Sequence, residues 1–306
     1  MMSVEIITIV STILGIAVTI LLPPLYDGIH RKIRARIHCR VGPPIMQTWY
    51  DILKLMVKQD VIPETASKTF LYAPSISLAY LLLAAAMIPI VYWKTVFDFT
   101  CDIILVIYLL SSATVFLTLG SLGSGNVFAI EGARRELMIA ILTELTIIFS
   151  FIAIAIRFNA IKFSSIFFQA METYPAISSV VASLLLILCA YIEGFKLPFE
   201  LPEAEPEIAG GSVIEYSGRR LALFKLSIFM KQFLLIAIAV NVIEPWSLSN
   251  PMLGLIITTI KVSIVYIVFA ICEPLFGRFR VYEALRSLLI LCALSIIAVI
   301  LSLIGV

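Results

Sequence analysis

The sequence predicts an all-α integral membrane protein: one polytopic domain over residues 1–306, with eight transmembrane helices and two long cytoplasmic loops. Three observations predict it. Of the 306 residues, 61% are apolar and only 14% are charged, with a mean hydropathy of +1.08, whereas a soluble domain carries roughly a quarter charged residues. The apolar residues gather into eight runs of the length, about 20 residues, that a helix needs to cross a bilayer. Basic residues concentrate on alternate loops between these runs. The composition excludes a cytosolic enzyme, a disordered chain and a disulfide scaffold. A formal charge of +2, from 22 basic and 20 acidic residues, is too balanced for a nucleic-acid partner. The lipid bilayer is therefore the first partner expected.

The first run, Val4 to Leu25, lacks a basic leader and a small-residue cleavage site, and Pro23, Pro24 and Asp27 close it. It reads as a retained helix, not a cleaved signal. The first long loop, residues 26–68, contains a stretch from Ile45 to Val61 in which Asp51, Lys54 and Lys58 recur at helical spacing while Trp49, Ile52, Leu53 and Met56 take other positions. That pattern predicts an interfacial amphipathic helix, which rests on headgroups or receives a partner. The second and third runs are Thr69 to Tyr92 and Ile103 to Leu122. The fourth, Leu137 to Ile156, follows Arg134 and Arg135 and contains Glu144. The fifth, Ala176 to Gly194, ends on Glu193 and opens the second long loop, residues 195–220. The sixth, Leu221 to Ile243, holds Lys225 and Lys231; the seventh, Met252 to Cys272, holds Lys261; the eighth is Ala284 to Ile304.

Charge asymmetry sets the expected orientation. Loops after the odd-numbered runs carry Arg31, Lys32, Arg34, Arg36, Arg40, Lys54, Lys58, Lys68, Arg134, Arg135, Lys196, Arg219, Arg220, Arg278, Arg280 and Arg286, while the opposite loops carry Lys94, Arg157 and Lys162. The rich side is expected to be cytoplasmic, with both termini outside. No internal repeat is visible, which weighs against a transporter built from inverted repeats.

A charge at mid-membrane costs about 2.5–3.5 kcal/mol on insertion scales, so each one inside a span is a candidate functional group. Glu144, Lys225, Lys231 and Lys261 are such residues. Glu193, near a helix end, could instead reach the interface. Lys231 and Lys261 lie too deep to do so and need carboxylate partners or water. In the second loop Glu200, Glu203, Glu205 and Glu207 alternate with Leu201, Pro202, Ala204 and Pro206, with Glu215 and Tyr216 following. Four carboxylates in eight residues repel one another and raise each other's proton affinity wherever they are desolvated. Proton-exchanging acids suit such a place.

No redox cofactor or metal is expected on the chain. Cys39, Cys101, Cys189, Cys272 and Cys292 lie at least twenty residues apart, His30 and His38 are the only histidines, and cluster or zinc sites need several soft ligands together. Nucleotide-loop and zinc-protease motifs are absent from the sequence.

The run Arg40-Val41-Gly42-Pro43-Pro44-Ile45-Met46-Gln47, with Asp51, Lys54-Leu55 and Ile62-Pro63, resembles the first-loop signature of the membrane subunit that joins the two arms of respiratory complex I. Glu193, Pro198-Phe199-Glu200-Leu201-Pro202-Glu203-Ala204-Glu205, Glu207 and Glu215-Tyr216-Ser217 resemble that subunit's quinone-cavity loop, and Arg135 with Glu144 fits its fourth-helix pattern. The short form between Gly42-Pro43-Pro44 and Gln47, with Leu223-Phe224-Lys225-Leu226 and Lys231, is closer to the equivalent subunit of energy-converting membrane-bound nickel-iron hydrogenases and membrane-bound sulfur reductases. His30, Lys196 and Ile228 stand where complex I usually has a glutamate, an arginine and often an acid, which speaks against an intact quinone-headgroup path.

The resemblance implies an anchoring and coupling subunit that links electron transfer in a peripheral arm to proton or sodium movement. Iron-sulfur clusters and nickel-iron would belong to hydrophilic partner subunits, and antiporter-like subunits would be its membrane partners. Ion coupling is expected of Glu144, Glu193, Glu200, Glu203, Glu205, Glu207, Glu215, Lys196, Lys225, Lys231, Lys261 and Arg135. Partner docking is expected of Arg31, Lys32, Arg40, Gly42, Pro43, Gln47, Asp51 and Lys54. The alternatives are the quinone-binding membrane subunit of a complex I-type dehydrogenase and a stand-alone secondary ion transporter.

Overall fold

The computed structural model of the chain describes residues 2–90, 94–99, 101–173, 176–243 and 251–305. Among them the elements are α1 (Met2–Ile37), α2 (Gln47–Val57), α3 (Lys68–Met87), α4 (Ile103–Leu122), α5 (Val127–Arg157), α6 (Phe163–Glu172), α7 (Ile177–Glu193), α8 (Glu205–Ile208), α9 (Gly218–Ile243), α10 (Pro251–Cys272) and α11 (Val281–Ile304). Seven of these, α1, α3, α4, α5, α9, α10 and α11, are long and apolar enough to cross a membrane. The remaining predicted span is α7. Its 17 residues rise only about 26 Å, at the short end of what spans a bilayer. It packs inside the bundle on α5, α9 and α11. The most deeply buried of the long helices is α9, which touches α1, α2, α3, α7 and α10.

Several boundaries differ from the apolar runs. Instead of stopping at Leu25, α1 continues through Pro23 and Pro24 to Ile37, so Arg31 and Lys32 project from a helix and not from a loop. Just before the two prolines, Trp49 Nε1 of α2 donates to Leu21 O at 3.1 Å. The fourth span also starts earlier. Asn126 caps α5 by accepting the Phe128 backbone N–H at 2.8 Å, which places Arg134 and Arg135 on helix. Hydropathy ended both runs at the first charges; the helices continue past them, with Arg31 and Arg34 of α1 paired to carboxylates and Asn126 capping the start of α5. On the opposite side α3 ends at Met87, and the expected end at Tyr92 lies outside the described residues.

Within the 45–61 stretch, α2 packs on α1 and α9. Trp49, Ile52 and Met56 form its packed stripe at helical spacing, whereas Leu53, one residue and therefore about 100° around from Ile52, is 55% exposed. Two helices were not foreseen, the single-turn α8 within the second loop and α6. Although α6 is too short to span, it buries Phe163, Ile166, Phe167 and Ala170, an i, i+3, i+4, i+7 face, and an isolated bridge joins Lys162 before it to Asp102 before α4.

Candidate ion-coupling site

The centre of the site is a lysine held by two acids. Lys231 lies thirteen residues past the start of α9 and twelve before its end, which is about 18–20 Å from either terminus at 1.5 Å per residue. Its Nζ is 2.8 Å from Glu144 Oε1 on α5 and 2.9 Å from Glu193 Oε2 at the end of α7, and it also donates to Thr114 Oγ1 on α4. The hydroxyl of Thr143 donates to Glu193 Oε1 at 3.0 Å, and Ser111 hydrogen-bonds to Glu144. Lys231 and Glu193 are buried. Glu144 is somewhat more open and lines a groove of about 720 Å³ between α4 and α5, walled chiefly by aliphatic side chains such as Ile107, Ile141 and Ile148.

Burying this many charges is tolerable only because each is paired and further hydrogen-bonded. With both acids ionised, two negative charges face one positive charge. The surplus suits the uptake of one proton or one monovalent cation.

The second loop is built onto α5. Hydrogen bonds within the loop and to α4 and the segment before α11 fix it: Ser212 N–H donates to Pro202 O at 3.2 Å, Ser121 Oγ of α4 donates to Ser212 O at 2.8 Å, and Phe279 N–H donates to Pro198 O at 3.1 Å. Gly132 lets the loop reach the helix, for a Cβ there would stand 2.8 Å from Gly211 Cα. Gly211 itself has φ +47°, a conformation that glycine adopts without Cβ penalty.

The alternating acids turn to different partners. Glu200 pairs with Arg278 at 2.6 Å, and Glu207 pairs with Arg135 at 2.6 Å, which Glu131 also approaches at 3.5 Å. Glu215 meets the Asn126 amide, Glu205 is exposed, and Glu203 is half-buried. Burial lifts the Glu203 carboxyl above its ordinary range, against the pull of Lys225; Glu200 pushes it further up and Lys196 works the other way. Burial therefore outweighs the repulsion that Glu200 and Glu205 exert on Glu203.

Other predicted residues lie elsewhere. Lys196 pairs with Asp27 at 2.7 Å, and Lys261 sits half-buried on α10, which packs chiefly on α1 and α9. On the docking face Arg31 reaches Asp51 at 3.2 Å and Asp27 at 3.7 Å, and Gln47 donates to Asp51 at 3.0 Å. Lys32 lines a shallow depression with Ile33, Arg36 and Ile37. Arg40 and Lys54 are exposed and Pro43 is half-buried, while Gly42 passes so close to α1 that a Cβ would stand 2.9 Å from Ala35 Cβ.

Three residues were missed. Asp27 is buried at the junction of Lys196, Arg31 and Thr48; its i, i+4 spacing to Arg31 was a readable signal. Asp60 joins the two loops, accepting from Arg220 Nη1 at 3.0 Å and from the Arg219 N–H at 2.6 Å. Glu136 is the third. It is 2% exposed, and with α5 extended it lies seven residues, two turns, from Thr143, hence on the face that meets Glu193.

Between α1, α9 and α10 the interior is filled by aromatic stacking. Tyr26 lies 4.9 Å from Tyr266 and 6.2 Å from Phe233, centroid to centroid, and a Cβ on Gly28 would stand 2.9 Å from the Ile45 carbonyl carbon.

The architecture and sequence both have known relatives. The family pattern described as NADH dehydrogenase matches residues 8–303. Hydrogenase-4 component C of Escherichia coli (strain K12) is 33% identical over 270 residues, 86% of each chain. Formate hydrogenlyase subunit 4 of the same organism is 32% identical over 266 residues, 84% of this chain and 86% of that one. An NADH-quinone oxidoreductase subunit of Syntrophobacter fumaroxidans is 30% identical over 272 residues, 82% of each. Among solved structures, a chain of the membrane-bound sulfane sulfur reductase, an archaeal respiratory membrane complex, superposes with a TM-score of 0.86 at 23% identity, covering 96% of this chain and 98% of that one. A family match across nearly every residue, together with relatives a third identical over most of their length, means that the chain belongs to the NADH dehydrogenase family of complex I-like membrane subunits.

Proposed function

We propose that this chain is the membrane-anchoring and coupling subunit of a multi-subunit energy-converting oxidoreductase of the hydrogenase or sulfur-reductase type, converting electron transfer in a peripheral arm into proton or sodium movement. The observation that carries the reading is Lys231 shared between Glu144 and Glu193 at nearly equal distances deep in the bundle. A cation with two equivalent acceptors is a two-position element. Loading a proton onto Glu193 weakens its hold on Lys231 and favours Glu144, and unloading reverses the bias; a ligand or charge acts on such an equilibrium only through its differential interaction with the two positions.

The loops 26–68 and 195–220 face the cytoplasm in this reading, with both termini outside, as the basic residues favour. They receive hydrophilic partners that hold the iron-sulfur and nickel-iron centres, while antiporter-like subunits flank the chain in the membrane. Relatedness to the two hydrogenase components supports that branch, and the Tyr26 stack and the close approach of Gly28 to Ile45 speak for it over a quinone-binding role.

The test is ion movement per electron pair in sealed vesicles that contain the whole complex. E193Q and E144Q keep side-chain shape and remove a titratable charge, and each is expected to lower that ratio strongly. A normal ratio in both variants would leave the cluster as a structural ion pair and sink the reading.

A further inference from the structure

One buried acid takes no part in the ion pairs described above. Glu136, on α5, is buried, and neither of its carboxyl oxygens is in hydrogen-bond geometry with a protein group, the Ser212 hydroxyl beside it being itself unpaired. Native structures rarely leave such groups orphaned, since an unsatisfied buried polar group costs about 1–3 kcal/mol. Ser77 on α3, fully buried, has an orphaned hydroxyl as well. The two orphans line the same small cavity, with Thr114, Glu193, Ser227 and Lys231 completing its polar wall. Measured as space open to the centre of a water-sized sphere, the cavity is about 10 Å³, close to the volume that one water requires. A buried water needs two to four polar partners, and this wall supplies more than that. The charged and titratable groups around Glu136 are Glu193, Glu203, Lys231 and Tyr216, with the Ser212 hydroxyl beside it.

We propose that a single water in this cavity joins Glu136 to Glu193 and Lys231, and that Glu136 is the proton-exchanging acid between the loop carboxylate Glu203 and the central ion pair. In the transfer step the Glu136 carboxylic acid gives its proton to the water as the water gives one of its own to the Glu193 carboxylate. Glu136 is left ionised, Glu193 neutral and the water intact, and Lys231 is freed from Glu193 toward Glu144. Glu136 then regains a proton from Glu203. Over the two transfers the negative charge moves two stations, from Glu193 to Glu203, while each proton moves one station inward. This inference rests on the coupling role proposed for the chain.

Two variants test it in the intact complex. E136Q removes the exchangeable proton; S77V replaces a hydroxyl of the water's wall with a bulkier apolar group and leaves Glu136 in place. Both are expected to lower the ions moved per electron pair. In redox-difference infrared spectra, E136Q should also remove a carboxylic-acid carbonyl band that is present in the wild type, a signature that a packing role would not produce. If E136Q and S77V pump normally while E193Q does not, Glu136 is no relay and the coupling role of Glu193 stands. If E193Q pumps normally too, the coupling reading fails with it. Should E136Q fail to assemble, the infrared band of the wild type and the S77V ratio still decide: no redox-linked carbonyl band together with normal S77V pumping would overturn the proposal.

Discussion

Replacing Lys231 with methionine separates an ion-pair centre from a merely polar one. The side chain is nearly isosteric, so packing changes little, but the two acids lose the ammonium group that stands 2.8 Å from one and 2.9 Å from the other. Breaking a buried pair by removing one partner typically costs about 3–5 kcal/mol, because the remaining charge is left uncompensated. E144Q removes one acceptor and leaves Lys231 paired to Glu193, so its cost should be about 1.5–3 kcal/mol, the worth of a hydrogen bond to a charged group. The triple variant K231M/E144Q/E193Q has no net buried charge, and neutral replacements of whole buried ion clusters are often harmless or stabilising by about 1–4 kcal/mol. The expected order of thermal stability for the detergent-solubilised complex is K231M lowest, E144Q intermediate, and the triple variant at or near wild type. Native gel or size-exclusion fluorescence after graded heating measures it. A triple variant as fragile as K231M would refute the reasoning, since the loss would then come from packing or hydrogen bonding and not from unpaired charge.

Further outcomes concern the loops. G132A is expected to push the second loop off α5, because the new Cβ has backbone atoms of Gly211 in its way; increased thiol labelling of a cysteine placed at Leu201, which is buried, would register it. E203Q should stabilise the protein in a pH-dependent way. A carboxyl whose folded-state proton affinity is raised binds more protons folded than unfolded, so wild-type stability falls as pH rises from the ordinary value of 4.5 toward the raised one and is flat above it. The advantage of E203Q over wild type should therefore open above pH 4.5 and then level off, and a constant difference across denaturation curves from acid to neutral pH would contradict the direction. A cysteine at Glu205, exposed on the second loop, should react with a membrane-impermeant reagent only from the cytoplasmic side; labelling from outside sealed cells would reverse the orientation.

Much of the fold was legible in the sequence because hydrophobic burial in a bilayer is local in sequence. Each span needs its own run of about 20 apolar residues, so seven helices could be found without knowing their neighbours, and α7 was found despite its 17 residues. The same logic misplaced their ends. A hydropathy run stops at the first charge, whereas α1 and α5 continue as helix because Arg31 and Arg34 find carboxylates and Asn126 caps a helix start ten residues before the apolar run. The amphipathic α6 went unseen because ten residues carry too short a periodicity beside the long spans.

For the site, the sequence by itself determined that Lys231 and Lys261 needed carboxylate partners or water: a charge that deep is too costly alone. It could not determine which. Glu144, Glu193 and Lys231 lie 49 and 38 positions apart along the chain, and only the crossing of α5, α7 and α9 brings both carboxylates within 3 Å of the Lys231 ammonium. Tertiary packing likewise decided that Lys196 serves Asp27 on α1, and that Glu200 and Glu207 of the loop find arginine partners. Glu136 shows the limit most clearly. Beside Arg134 and Arg135 it reads as one more charge at the edge of the membrane, and its burial is decided by α3, α9 and the returning loop, which close over it because Gly132 and Gly211 let backbone meet backbone. Pairing and enclosure are properties of surfaces that meet in space, and they leave no periodic mark on the chain that supplies them.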